Sequence, residues 1–391
     1  MKRVDVLVVG AGVAGATAAL ALGRSGLSVM LVDRARFPRH KVCGCCLNSD
    51  AVAMLRDLGL ATKLMQAGAK PIAHITAACH GRAISLPSQG GLSVSRFVLD
   101  AVLIDAAKQA GCEVRDETIA RISAVPSGHE RVQVDCMAAV GGEASTVEAE
   151  VVLVADGLAG SCTAGLDAGK RVTDPESLRG YGAHMPAVQH GLMDGEVLMR
   201  CGAGGYVGTV VLEDGSLDIA AAMRPSWVKA CKGPAQAAHA ISVQSGHQLS
   251  GLDDVKWTAT APLTGVRAKQ WARRMFFLGD AAGYVEPFTG EGMAWAMRSA
   301  RTVVPFAKEA CQSWNGQIGE DWERAYQHHV CRKQWRCKLF AMLLRRPTLV
   351  SASITTANTL PSRLNQTIAK FAMPPMFRPT DLSQATEWAT H

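Results

Sequence analysis

The sequence predicts an α/β fold in which a parallel sheet is interrupted by an inserted antiparallel sheet and followed by helices. Three observations carry this expectation. An apolar run opens the chain, breaks at Gly10-Ala11-Gly12-Val13-Ala14-Gly15, and resumes after a helix-like stretch as a second strand ending at Asp33. Over residues 179–261 the pattern changes to alternating runs, 206–212 and 217–223, joined by Glu213-Asp214-Gly215-Ser216. Beyond Gly290 the spacing is mostly helical, with interruptions at Pro305, Pro347, Pro361 and Pro374-Pro375.

The opening stretch has a physical reading. A buried strand has to turn tightly at Gly10, Gly12 has no side chain where a diphosphate must approach the backbone, and Gly15 lets the next helix pack closely. With Val13 and Ala14 in its first turn, that helix points free N–H groups and a partial positive charge at an anion. Asp33, about 20 residues on, is placed to accept from a ribose. Strand, turn, helix, strand and terminal acid together predict a Rossmann-like dinucleotide site. Met1-Lys2-Arg3 before an apolar run looks like an export signal, but Asp5 interrupts the run, so a cytoplasmic protein is expected.

The 391 residues are enough for two joined domains. We assign 1–70, 95–178 and 262–312 to a cofactor domain, 71–94 and 179–261 to a substrate-binding sheet, and 313–391 to a helical region. At 48% hydrophobic and 19% charged the composition is that of an ordinary globular protein, and no apolar run of about 20 residues is free of charge. Net charge is +7 with no accompanying nucleic-acid-binding pattern, so no nucleic-acid partner is expected. The twelve cysteines mostly stand singly, like small buried apolar residues, and predict no disulfide framework. No metal is expected.

Between the two main signals the chain reads in order. Residues 34–48 form a basic loop; a helix follows over 50–58, capped by Ser49 or Asp50 and broken at Gly59. Strands are expected within 72–86, a helix over 95–110 ending at Gly111, and a strand over 112–115. A hairpin over 131–137 and 146–154 flanks Gly141-Gly142. A buried strand starts at Met275 and ends at Gly279-Asp280.

Four stretches together resemble the FAD-dependent para-hydroxybenzoate hydroxylase-like superfamily, most closely its geranylgeranyl reductase and halogenase-like branch. They are the first glycine motif with Asp33, Phe37-Pro38-Arg39-x-Lys41-x-Cys43-Gly44, Ala155-Asp156-Gly157, and Gly279-Asp280-Ala281-Ala282-Gly283-x-x-x-Pro287-x-x-Gly290-Glu291-Gly292. Ser95-Arg96-x-x-Leu99-Asp100-x-x-Leu103 is a weaker fifth. The resemblance implies a FAD-binding domain of the GR2 type. It places Asp280 at the ribityl chain and Pro287 through Gly292 and Met293 along the isoalloxazine, where a helix N-terminus stabilises reduced flavin. By the same resemblance Arg34, Arg39, Lys41 and Arg96 lie near the cofactor, Asp156-Gly157 supports the FAD region, and Cys43-Gly44 lies near the flavin.

Cys45 and Cys46 depart from the family pattern, so three thiols could reach the reactive edge. Inert packing, a redox pair (Cys43–Cys46 or Cys45–Cys46), a covalent tether to the flavin, and a metal bound with His40 stay open as readings. Only one nucleotide fingerprint is present, so NADH or NADPH is expected as a transient co-substrate, the alternative being a separate reductase that supplies the electrons. The leading expectation is NAD(P)H- and O2-dependent hydroxylation of an aromatic or lipid-like small molecule. The alternative is reduction of C=C bonds in a hydrophobic substrate, and a non-enzymatic flavin/thiol electron relay is a third reading. Tyr206 lies where such reductases carry an aromatic-rich motif, although its Trp and Phe-Pro are missing; His184 lies in the same sheet. Halogenation is disfavoured, since Trp-x-Trp-x-Ile-Pro is absent and Lys70 has no supporting context. Trp335, Leu339, Met342 and Leu343, ringed by Arg332, Lys333, Arg336, Arg345 and Arg346, suggest either peripheral membrane contact or a packed helix with a solvated basic side.

Overall fold

Three sheets organise the computed structural model, whose described residues are 1–128, 130–139, 141, 144–187, 192–285, 290–335, 337 and 346–359. In the first, the strand Lys2–Val9 lies between Val29–Val32 and Ser145–Val154 and runs parallel to both. Glu113–Arg115 and Met275–Phe277 extend the parallel set on either side. The Val- and Leu-rich stretches Val6–Val9, Val29–Val32 and Val151–Val154 are buried on both faces, as parallel strands covered by helices must be. The helices Val13–Arg24, Arg96–Gln109 and Glu291–Thr302 contribute to one continuous apolar core with this sheet. The expected hairpin forms, with Val132–Ala138 antiparallel to Ser145–Val154.

The second large sheet has the order Thr258–Pro262, Arg179–Met185, Leu217–Met223, Gly205–Val211, Glu196–Gly202, Lys70–Cys79, Arg82–Ser93 and Cys46–Leu47. It departs from the antiparallel expectation at one seam. Glu196–Gly202 pairs parallel to Lys70–Cys79, because two separate segments of the chain meet there without a hairpin between them. One face packs on the helix Pro234–Ser245 through Ala183, Val207, Ile219, Ala221 and Ile241. The opposite face carries Met199, Tyr206, Val210 and Ala222 and turns toward the cysteine loop. Arg171–Thr173, Gly265–Arg267 and Gly283–Tyr284 make a small third sheet.

The helix after the loop spans Ser49–Asp57, and its cap is neither Ser49 nor Asp50: Asn48 Oδ1 accepts from Ala51 N at 3.0 Å. The cap lies one residue earlier because Asn48 keeps extended backbone while its side chain folds back onto a free N–H. Ser95 caps Arg96–Gln109 in the same way. Near the end of the described chain, the helix Pro347–Thr359 sets Val350 and Ile354 against the apolar face of the second sheet. Most of the expected basic amphipathic segment, residues 336 and 338–345, lies outside the described residues, as does Pro287. No helix among the described residues is long and apolar enough to cross a membrane.

Candidate functional site: a dinucleotide cradle with a thiol edge

The glycine-rich strand ends converge because each lacks the atom that would hold them apart. Gly10 adopts φ +105°, and a Cβ there would lie 2.3 Å from the Ala155 carbonyl oxygen and 2.9 Å from Asp156 N. A Cβ on Gly15 would lie 1.8 Å from the Gly10 oxygen, and one on Gly279 would lie 2.9 Å from the Ala14 Cβ. Three motifs separated by more than a hundred residues thus share one backbone contact zone. Asp33 braces it from beneath: Oδ2 accepts from Ala11 N at 2.7 Å and Oδ1 from Ala35 N at 2.9 Å. Gly157 continues from Asp156 at φ +76°, and Asp156 Oδ2 accepts from Cys162 N at 2.9 Å.

Cations gather at the start of the first helix. Arg96 forms a two-pronged pair with the buried Asp100, Nε to Oδ1 and Nη2 to Oδ2, both at 2.8 Å. Its Nη2 also lies 3.5 Å from the position of a Gly12 Cβ. Arg39 approaches Asp100 at 3.8 Å and Asp33 at 3.9 Å, while its buried Nε makes no hydrogen bond among the described residues. Lys41 lies 3.7 Å from the Gly157 Cβ position, and Arg34 is exposed beside the group. Burial lowers the pKa of Lys41 and of Arg39, with their cationic neighbours adding to the effect.

These observations fit FAD. Bare backbone where a cofactor must lie close, a helix N-terminus and partly desolvated cations together ask for an anion such as a diphosphate. Asp280 sits beside Gly279, Gly283, Gly292 and Trp295 around a small hollow. There it can take up hydroxyl groups of a sugar-like chain.

The cysteine loop and the start of the helix Glu291–Thr302 come together. Gly290 caps that helix at φ +78°, and a Cβ on it would meet the Cys46 carbonyl at 2.9 Å. The loop therefore packs against the helix start. At the N-terminus of this helix the Glu291 carboxylate accepts from Cys337 Sγ at 3.2 Å. Met293 is buried behind it. Cys46 Sγ donates to the exposed Gly44 carbonyl at 2.8 Å. Cys43, Cys45 and Cys46 are all free thiols, and Cys45, buried and at φ +48°, folds the loop so that its thiol bears on the ionisation of Cys43. The neighbouring Cys45 thiol lowers the Cys43 pKa to about 6; burial opposes it, and Arg96 and Lys41 assist. Cys45 and Cys46 are pushed well above the ordinary thiol range, Cys45 by its bond to Cys43 and by burial, Cys46 by burial. Of the three thiols, Cys43 alone is shifted toward the thiolate. His40 turns to the rings of Phe97 and His184 rather than joining the thiols.

His184 and Tyr206 both lie on the sheet face turned to this loop. Lys70 is tied up with Asp194 at 2.8 Å at the start of its strand. Sequence reading passed over Asp218, buried next to Cys45, and Arg171, whose buried Nε and Nη2 make no hydrogen bond among the described residues. Asp218 stands in an alternating run in which nothing shows which face is inward, and Arg171 carries no local signal at all.

Comparison with known proteins agrees with the geometry. The sequence profile described as FAD binding domain matches residues 3–308. The chain is 26% identical over 373 residues to a menaquinone reductase of Mycolicibacterium smegmatis, covering 90% of this chain and 87% of that one. It is 27% identical over 362 residues to digeranylgeranylglycerophospholipid reductase 2 of Methanothermobacter thermautotrophicus, covering 83% and 86%. A crystal structure of a flavoprotein/dehydrogenase from Cytophaga hutchinsonii superimposes with a TM-score of 0.80 at 17% identity, covering 99% of both chains. That last likeness shows the fold. The chain belongs to the FAD binding domain family and is a FAD-dependent oxidoreductase.

Proposed function

We propose that this protein reduces a carbon–carbon double bond in a prenylated, hydrophobic substrate such as a quinone or lipid, drawing electrons from transiently bound NADH or NADPH. The observation that carries this reading is the apolar face of the inserted sheet. From Cys45 it runs through Val210, Tyr206, Ala222 and Met199 to Val350 and Ile354 of an outer helix. These side chains are buried against one another and under that helix, and an apolar interior of this kind next to the cysteine loop suits a hydrocarbon better than a polar ring. Full-length similarity to a menaquinone reductase and a prenyl-lipid reductase supports the same choice over hydroxylation.

FAD, when bound, supplies the two-electron chemistry. Gly10, Gly12 and Gly15 admit it, and Arg39, Lys41 and Arg96 balance its diphosphate charge. Asp280 orients its sugar chain, and the N-terminus of Glu291–Thr302 stabilises negative charge at the ring. Cys43, held between Cys45 and the Arg96–Lys41 cations, holds or releases a proton at Sγ beside the reacting edge.

The test is anaerobic. Purified protein with FAD, NADH or NADPH and a prenylated quinone should yield a product heavier by two hydrogens. A product heavier by an oxygen atom, formed only in air, would return the reading to hydroxylation. Nicotinamide oxidation indifferent to every prenylated or phenolic compound would favour an electron relay.

A further inference from the structure

The cofactor cradle and the inserted sheet meet at an acidic side chain that belongs to no glycine motif. Glu213 stands half-buried in the turn between the strands Gly205–Val211 and Leu217–Met223. That turn is closed by its own hydrogen bonds. Leu212 N donates to the Ser216 carbonyl at 2.8 Å, Gly215 N to the Leu212 carbonyl at 3.1 Å, and Ser216 N and Oγ both donate to Asp214 Oδ1. It is also held from outside. The buried Ser93 hydroxyl donates to the Val211 carbonyl at 2.9 Å, and a Cβ on Gly68 would lie 3.1 Å from the Glu213 Cβ.

From this fixed point Glu213 reaches into the cofactor domain. Its carboxylate accepts from Ser95 N at 2.8 Å and from the Ser95 hydroxyl. Ser95 Oγ in turn accepts from Val98 N at 3.1 Å and so caps the helix Arg96–Gln109. The residue after the cap is Arg96, whose guanidinium lies between Asp100 and the Gly12 turn. Asp100 is 3.8 Å from Arg39, Arg39 is 3.9 Å from Asp33, and Asp33 accepts from Ala11 N at 2.7 Å. Hydrogen bonds and ion pairs thus connect the sheet with the apolar face to the turn that admits the diphosphate.

We propose that Glu213 is a positioning residue for the cofactor: by fixing Ser95 and the first turn of its helix, it holds Arg96 where the FAD diphosphate needs a cation. The proposal stands whatever substrate the flavin serves. Arg96 lies between Ser95 and Val98, which share the capping hydrogen bond, so cap and guanidinium are carried together. A charged contact has to be held closely to act at full strength, and the support comes from residues that do not themselves touch the ligand. The charge of Glu213 works the other way, because a carboxylate near an anionic cofactor repels it. Placement and charge therefore predict opposite signs when Glu213 is removed.

The test is FAD affinity, read by flavin fluorescence on the full chain stripped of cofactor, with ADP as a second probe that carries the diphosphate without the flavin. Glu213→Ala should raise the Kd for FAD and for ADP alike by roughly tenfold. Glu213→Gln keeps an oxygen for Ser95 N and an N–H for its hydroxyl, so it should stay within about threefold of the wild type. An unchanged Kd in Glu213→Ala, an equal loss in Glu213→Gln, or tighter binding in either overturns the proposal. In an Arg96→Ala background, Glu213→Ala should change the Kd by less than about twofold; the full loss there would mean that Glu213 does not act through Arg96. Weakened FAD with unaffected ADP would place the effect at the flavin end and overturn it too. Should Glu213→Ala or Arg96→Ala not fold, Ser95→Ala is compared with Ser95→Thr, which keeps the hydroxyl. The alanine should weaken both probes and the threonine should not, and equal affinity in the two sinks the idea.

Discussion

The parallel sheet and the inserted sheet present opposite solutions to holding a ligand. At the parallel sheet the ligand-facing surface is mostly backbone: Gly10, Gly12, Gly15 and Gly279 clear space, and charges stand at strand and helix ends, where they pair. The inserted sheet offers side chains instead, an apolar stripe with a single buried acid, Asp218, opposite His184. The difference teaches where tolerance lies. A backbone cradle fails when any atom is added to it, whereas a side-chain face can be retuned one group at a time.

The sharpest way to break the cradle is Gly15→Val. Its Cβ would lie 1.8 Å from the Gly10 carbonyl, and a backbone cannot move aside as a side chain can. We expect a loss of roughly 4 kcal/mol or more and a protein that elutes colourless. Retention of FAD absorbance by Gly15→Val would mean that the turn is not the cofactor's seat.

Arg96→Ala should come next. It removes both hydrogen bonds to Asp100, which is fully buried, and leaves it only Arg39 at 3.8 Å; breaking such a buried pair costs about 3–5 kcal/mol. Urea unfolding of the FAD-free protein measures that cost, and FAD titration measures the lost cation separately. Arg96→Lys should recover part of the charge effect and little of the stability, because an ammonium cannot make the two-pronged contact.

The smallest effect tests the inserted sheet. The folded-state pKa of Asp218 is raised by burial, so from about pH 4 upward the folded chain holds a proton that the unfolded chain has released. Wild-type stability therefore falls as pH rises through that window, while Asp218→Asn has no proton to hold. The variant should match the wild type near pH 4 and exceed its melting temperature by roughly 2–4 °C at pH 7. A difference that is constant with pH would show that Asp218 titrates normally.

The local rules were legible from end to end along the parallel sheet. Valine-rich runs, a glycine turn and a terminal acid lie within some thirty residues, so nearest neighbours determine the strand, turn and helix. Asp33 was read as a ribose acceptor, and it also braces the turn by accepting from Ala11 N. The bearing of Cys45 on Cys43 was not legible, because it depends on positive φ at Cys45 and on the packing of Gly290 against the Cys46 carbonyl. Arg171 was hidden for a similar reason: its burial is set by Gly265, where a Cβ would strike its guanidinium.

From its sequence alone, this protein's nucleotide-binding turn, its α/β class, its FAD and its inserted sheet were determined, since each rests on periodicity or on a motif short enough for local sterics to impose. Tertiary structure alone decided which thiol is shifted toward the thiolate, which sheet face meets it, and that His184 stands across from Asp218. Those outcomes depend on burial and on charges brought together from distant segments, and the dielectric and spacing that set them exist only once the chain has folded.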